Sequence, residues 1–253
     1  MYTISKRLKI GSIVLILLGA LGWGTSYVSS HKSLEEVKTM LAAEDASHGG
    51  GHDAVATNEA APVAGSHGEE ASDDVADHDA HAEHVMHQIH NRPYSALYIA
   101  AFFFMMISLG VLAFYGIQRA SQAGWSPVLF RVMEGITYYL LPGALIVLAI
   151  ALWAGPHLFI WMDPELINPE SADYDALIAG KSGWLDKTWF AVRALIFIAG
   201  WSLYRYFSRK FSIAQDEAGD TKNFKKNFRI SAVFLVFFIY TESMMSWDWI
   251  MSV

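Results

Sequence analysis

The chain has 253 residues, 53% hydrophobic and 14% aromatic, with 25 acids against 18 bases and a net charge of −7. This balance suits a multi-span membrane protein better than a soluble domain, and with no basic patch interleaved with stacking aromatics it argues against nucleic-acid binding. The absence of cysteine excludes disulfides, thiolate-ligated clusters, CxxCH haem attachment and cysteine nucleophiles within this sequence.

The charge is unevenly spread. Residues 31–94 hold 13 acids and 3 bases, a net −10, so the rest of the chain carries +3. Lys6, Arg7 and Lys9 precede a charge-free run, Ile10 to Ser30. A secretory signal would read similarly, but the run is long and no A-x-A site follows it, which favours an uncleaved first span over residues 1–30.

Residues 31–92 form an acidic, His-rich insert. From Ala46 the segment is mostly Gly, His, Ala, Asp and Glu. Such a composition buries too little apolar surface to offset ordering entropy, so mobility is expected over 46–90. Its end places His78, His81, His84, His87 and His90 at every third position. Histidines on adjacent helical turns can share a metal ion, so these five are candidate ligands. The plain alternative is a solvated, weakly helical linker that binds nothing specific.

Residues 93–253 read as a four-helix membrane bundle, with spans at about 93–117, 134–154, 187–207 and 230–251. With residues 1–30 the expectation is all-α: a polytopic helix bundle with five membrane-spanning helices. Pro93 suits a helix N-terminus, and Pro142 is expected to kink the third span. Residues 155–186 read as a polar loop, and residues 208–229 as a basic one. With the N-terminus in the cytoplasm, 12 bases lie inside and 5 outside, counting Arg193 as intramembrane. That distribution sets the orientation and places the insert outside the cytoplasm.

Charged groups at membrane depth mark candidate sites, because an unpaired charge there is costly. Arg193 falls inside span four. Glu242 and Asp248 fall inside span five. A depth count puts Arg193 and Glu242 within about 3 Å of each other along the helix axes, so Glu242 is the expected partner and Asp248 the less expected one. On span four, Arg193, Phe197, Gly200 and Tyr204 share a face; on span three, Glu134, Tyr138, Leu141 and Leu145 do. Gly200 is expected to let another helix approach closely. No span carries a histidine, so an intramembrane bis-His haem is not expected. Buried acids and tyrosines among aromatics suit a quinone head group or a proton relay; a plain polar stripe inside a bundle is the third option. No P-loop, G-x-S-x-G or H-E-x-x-H motif is present.

Three blocks carry a family resemblance: FFFMMISLGVLAFYGIQRASQAGWSPVLFRVMEGITYYLLPG (102–143), LIAGKSGWLDKTWF with SLYRYFSRKFSIAQDEA (177–190 and 202–218), and TESMMSWDWIMSV (241–253). They resemble the ActF-type, NrfD/PsrC-like membrane subunits of bacterial alternative complex III, a quinol:electron-acceptor oxidoreductase. The resemblance covers nearly the whole chain except the His-rich insert. It implies a multi-pass protein of the bacterial inner membrane, with the insert in the periplasm. It further implies no covalently bound cofactor, a quinone (menaquinone or another) as ligand, and haem and iron–sulfur groups held only by partners. Those partners would be a multihaem cytochrome, an iron–sulfur subunit and a second NrfD-like subunit, with cytochrome c or an oxidase as acceptor. Family members are about twice as long, with about ten spanning helices, so this sequence is expected to be the N-terminal half. Under this resemblance the quinone or proton-path candidates are Glu134, Tyr138, Arg193, Tyr204, Glu242 and Asp248, and no residue is assigned a catalytic role. The residues by themselves also admit an ion or proton transporter component, or a periplasmic metal-binding membrane protein built on the His tract.

Overall fold

A computed structural model describes residues 5–47, 70–171 and 174–252; side chains are described for these except at 45–47, 70–78 and 80. The chain is all-helical, with no strand among the described residues. Four helical segments there are long and apolar enough to cross a membrane: Lys6–Ser30, His81–Ala120, Ser126–Trp153 and Lys222–Trp249.

The chain divides into two compact units, Met1–Pro93 and Tyr94–Val253. In the first, α1 (Lys6–Ser30) is capped by the Ser5 hydroxyl, and only Ser30 is buried along it. Helix α2 (Leu34–Ser47) begins with Glu35 and Glu36, which suit the positive helix N-terminus. Helix α3 (Glu70–Ala120) starts in this unit, and Lys38 of α2 pairs with its Asp79 at 2.5 Å. Of the 46–90 segment expected to be mobile, residues 48–69 lie outside the described residues, and 70–90 are helical within α3.

Pro93 does not start a helix. It lies inside α3, which runs back through the His tract to Glu70. A proline removes one hydrogen bond and crowds one carbonyl, a local cost that a 51-residue helix absorbs. The Pro93 carbonyl accepts from Trp23 Nε1 at 3.0 Å.

In the second unit, α3 leads to α4 (Phe130–Ile136), a 3-10 turn over Thr137–Tyr139 and α5 (Leu140–Trp153). Pro142 explains that interruption. It cannot donate to the Tyr138 carbonyl and its ring crowds that carbonyl, so the preceding turn tightens.

The expected polar loop 155–186 contains three short helices, α6 (Gly155–Leu158), α7 (Pro164–Ile167) and α8 (Ala176–Gly180). Three of its acids serve as caps: Asp163 accepts from Glu165 N, Asp175 from Leu177 N and Ile178 N, and Asp186 from Thr188 N and Trp189 N.

Asp186 opens α9 (Lys187–Asp216), and a short turn returns the chain as α10 (Lys222–Trp249). These two helices pack together most extensively, with α5 against α9 as well. Both extend into the expected basic loop at 208–229. Hydropathy falls where lysine and arginine begin, yet both are good helix formers, so the helices continue. α9 is outside the apolar set above because Lys187, Arg193 and Arg205 dilute its apolar run. The core of this unit includes Met105, Leu109, Leu140, Val147, Phe197, Trp201 and Met245.

Candidate functional site

Two polar clusters lie in the second unit, at opposite ends of the α9–α10 pair. Asp248 belongs to one and Ser231 to the other, about 25 Å apart at 1.5 Å per residue along α10.

At the end where α9 begins, Asp248 is 1% exposed. Its Oδ2 accepts from Arg193 Nε at 2.6 Å and its Oδ1 from Trp184 Nε1 at 2.9 Å. Arg193 Nη1 donates to the Trp184 carbonyl at 3.0 Å, and the guanidinium carbon stands 4.3 Å from the Trp184 ring centre. The arginine therefore pairs with Asp248 and not with Glu242. The depth count compared backbone levels, whereas side chains on a helix lean toward its N-terminus. From α9 that direction leads to Trp184 and to the end of α10. Glu242 is half-buried and makes no hydrogen bond or ion pair among the described residues.

Beside this pair lies a cavity of about 510 Å³, lined by Ile160, Trp161, Ile178, Lys181, Trp184, Leu185, Trp247, Asp248, Met251 and Ser252. Its size and mixture of apolar walls with few polar groups suit a small organic ligand. Behind it the rings of Phe159, Trp161, Phe190 and Trp249 form a contiguous cluster at centroid distances of 5.5–6.2 Å. Three buried donors around this cluster have no partner among the described residues: Trp161 Nε1, Trp249 Nε1 and Arg193 Nη2. Buried donors are rarely left unpaired, so this region calls for acceptor atoms.

At the α9–α10 turn end, Glu134 is 6% exposed. It accepts from the Tyr115 hydroxyl at 3.1 Å and from Arg131 Nη1 at 2.8 Å. Tyr115 in turn accepts from Arg119 Nε at 3.1 Å and from the Ser208 hydroxyl at 3.3 Å. Arg119 Nη2 also donates to Ser212 Oγ, and Arg131 pairs with Asp216. Ser208 and Asn227 bond reciprocally, and the Tyr204 and Ser231 hydroxyls are 2.8 Å apart. One cavity of about 10 Å³, room for one water, lies among Leu112, Tyr115, Glu134, Thr137, Arg205 and Arg209. Ser208 has one hydroxyl proton for both Tyr115, at 3.3 Å, and Asn227 Oδ1, at 2.6 Å, so a Ser208–Tyr115–Glu134 relay forms when that proton turns to Tyr115. Asn227, an amide that accepts Ser208 through its side chain and Ser231 through its carbonyl, separates that relay from Tyr204.

Tyr138 is not part of this cluster. It is 68% exposed, with Arg205 stacked over its ring at 4.8 Å. Leu141 and Leu145 are exposed too. The 3-10 turn advances each residue further around the axis than an α-helix does, which breaks the expected shared face with Glu134. On α9 the expected face holds: Phe197 and Tyr204 are buried, and Gly200 receives the Phe237 ring so closely that a Cβ would lie 2.3 Å from it.

In the first unit, His90 faces His31 with ring centres 5.3 Å apart, and His84 contacts Gln88. Residues three apart rotate 60° away from eclipse on an α-helix, so His81, His84, His87 and His90 spiral around α3. Among the described residues no three His, Cys, Asp or Glu side chains gather as a metal site; the side chain of His78 lies outside them.

Trp161, Trp184, Tyr115, Arg119 and Asn227 were not candidates from the sequence. Three of them had a readable signal. Tyr115 and Arg119 stand four apart on α3, Asn227 and Ser231 four apart on α10, opposite Tyr204, Ser208 and Ser212 on α9. The two tryptophans sit in an aperiodic stretch that offers no such pattern.

No protein-family model matches this sequence, and no curated protein matches it.

Proposed function

We propose that this chain is an integral membrane subunit of a quinol-oxidising respiratory complex in a bacterial inner membrane. In this reading α9 is a fifth span beside the four apolar helices. Its 30 residues reach about 45 Å, and pairing with Asp248 offsets the cost of its internal arginine. The N-terminus is cytoplasmic and the His-rich insert periplasmic, as the distribution of basic residues favours.

The observation that carries the reading is the cavity beside Asp248, whose lining includes Trp161 with its unpaired donor. A quinone ring is flat and apolar and bears two acceptor oxygens. Trp161 would donate to one of those oxygens, Trp184 and Trp247 would wall the ring, and Asp248, held by Arg193, would accept a proton from a quinol hydroxyl. The ligand supplies the two-electron redox chemistry; haem and iron–sulfur groups in partner subunits carry the electrons onward. The resemblance of residues 102–143 and 241–253 to alternative complex III subunits supports the same assignment.

A second reading, proton or ion conduction without a quinone, draws on the Ser208–Tyr115–Glu134 relay at the other end. Purification in mild detergent from its native membrane separates the two. The quinol reading expects partner subunits with haem absorbance and stoichiometric extractable quinone. A preparation of this polypeptide without either, yet conducting protons in liposomes, would replace it with the second reading.

A further inference from the structure

The outer face of the α9–α10 pair carries a groove that shares Tyr204 with the turn-end cluster and nothing with the Asp248 cluster. Its volume is about 570 Å³ and its lining includes Gly200, Tyr204, Phe211, Arg229, Val233 and Phe237. The walls are almost wholly apolar, and no acid lines it. Gly200 and Phe237 mark one end and Phe211 and Arg229 the other. Along α9, residues 200 to 211 span about 16 Å, close to the roughly 15 Å depth of one leaflet's hydrocarbon.

The polar end is strongly cationic. Arg229 lines the groove and Lys226 lies 5.7 Å from the Phe211 ring centre. Among the described residues Arg209, Lys210, Lys225, Lys226 and Arg229 enter no ion pair, whereas Lys222 is paired with Asp220. An apolar slot one leaflet deep, ending at unpaired cations, matches an anionic phospholipid in both parts. The acyl chain fills the slot and the phosphate meets Arg229 and Lys226.

We propose that this groove is a specific site for one anionic phospholipid, held by its acyl chain between α9 and α10 and by its phosphate at Arg229. The inference does not depend on the quinol reading, since the two sites use different residues.

The test is native mass spectrometry of the full chain in non-ionic detergent, titrated with phosphatidylglycerol or phosphatidylcholine. The expected result is one tightly held phosphatidylglycerol, preferred over phosphatidylcholine by about tenfold or more. Arg229→Gln should abolish that preference. Val233→Trp, at a 71% exposed position whose enlargement leaves the core alone, should block both lipids. Lys210→Gln, in the same cationic hairpin but outside the groove lining, should change nothing. Equal binding of the two lipids by the unaltered protein would overturn the proposal. So would phosphatidylglycerol binding that survives Val233→Trp, or an equal loss in Lys210→Gln, since either indicates diffuse attraction to charge. Displacement of the lipid by menaquinone, or a dimer mass abolished by Val233→Trp, would assign the groove to another occupant and equally overturn it.

Discussion

Replacing Arg193 with methionine removes the guanidinium while keeping much of the side-chain volume. Asp248 would then be held by Trp184 Nε1 alone. At 1% exposure the carboxylate has almost no water to replace the lost partner. Arg193 is itself only 13% exposed, so solvent screens the pair weakly. Breaking a buried pair on one side costs roughly 3–5 kcal/mol in soluble proteins, and that range is expected here. Asp248→Asn alone should also destabilise, because it strands the arginine. The double variant should recover most of the loss, since neither charge is left unpaired. The assay is equilibrium unfolding of the detergent-purified protein for both singles, the double and the parent, completing a double-mutant cycle. A coupling below about 0.5 kcal/mol would refute the pair as a stabilising unit. Glu242→Gln should add independently to Arg193→Met, and strong coupling there would restore Glu242 as the working partner.

Trp161→Phe deletes a buried donor that has no partner among the described residues. Stability should hold or rise, since an unpaired buried donor costs about 1–3 kcal/mol, while affinity for a quinone analogue should fall; equilibrium unfolding and ligand titration read the two separately. Glu134→Leu leaves the buried Tyr115 hydroxyl without its acceptor and Arg131 without its partner and should cost about 1–3 kcal/mol. Glu134→Gln keeps an acceptor for Tyr115 and gives up only a pair with the 44% exposed side chain of Arg131, so the loss should stay below about 1 kcal/mol. Gly200→Ala drives a methyl into the Phe237 ring and should cost about 1 kcal/mol, the low end for overpacking, because the ring can swing toward lipid; Phe237→Leu should relieve it.

The helical class and the approximate place of each long helix were legible because a spanning helix needs an apolar run of fixed length. Helix ends were less so. Hydropathy marks where lipid would end, and the backbone of α9, α10 and α3 continues past that point. The Glu134 face failed at Tyr138 because one proline changed the local period, an effect that identical residue spacing conceals. Arg193 and Asp248 were both visible as charges in apolar surroundings. Their pairing was not, because it depends on the direction and length of an arginine side chain. Trp184 and Trp161 were hidden for another reason: they reach the cavity from a 3-10 turn and from the turn after α8, where spacing along the chain says nothing about which way a ring points.

The proposed site for the quinol head group is the cavity beside Asp248. A photoreactive azido-quinone applied to the full chain in detergent, followed by peptide mapping, tests it directly. Saturable labelling is expected, confined to peptides containing Trp161, Lys181–Leu185 or Trp247–Ser252, suppressed by excess menaquinone and weakened in Trp161→Phe. Labelling spread over the lipid-facing helices and unaffected by competitor would contradict it.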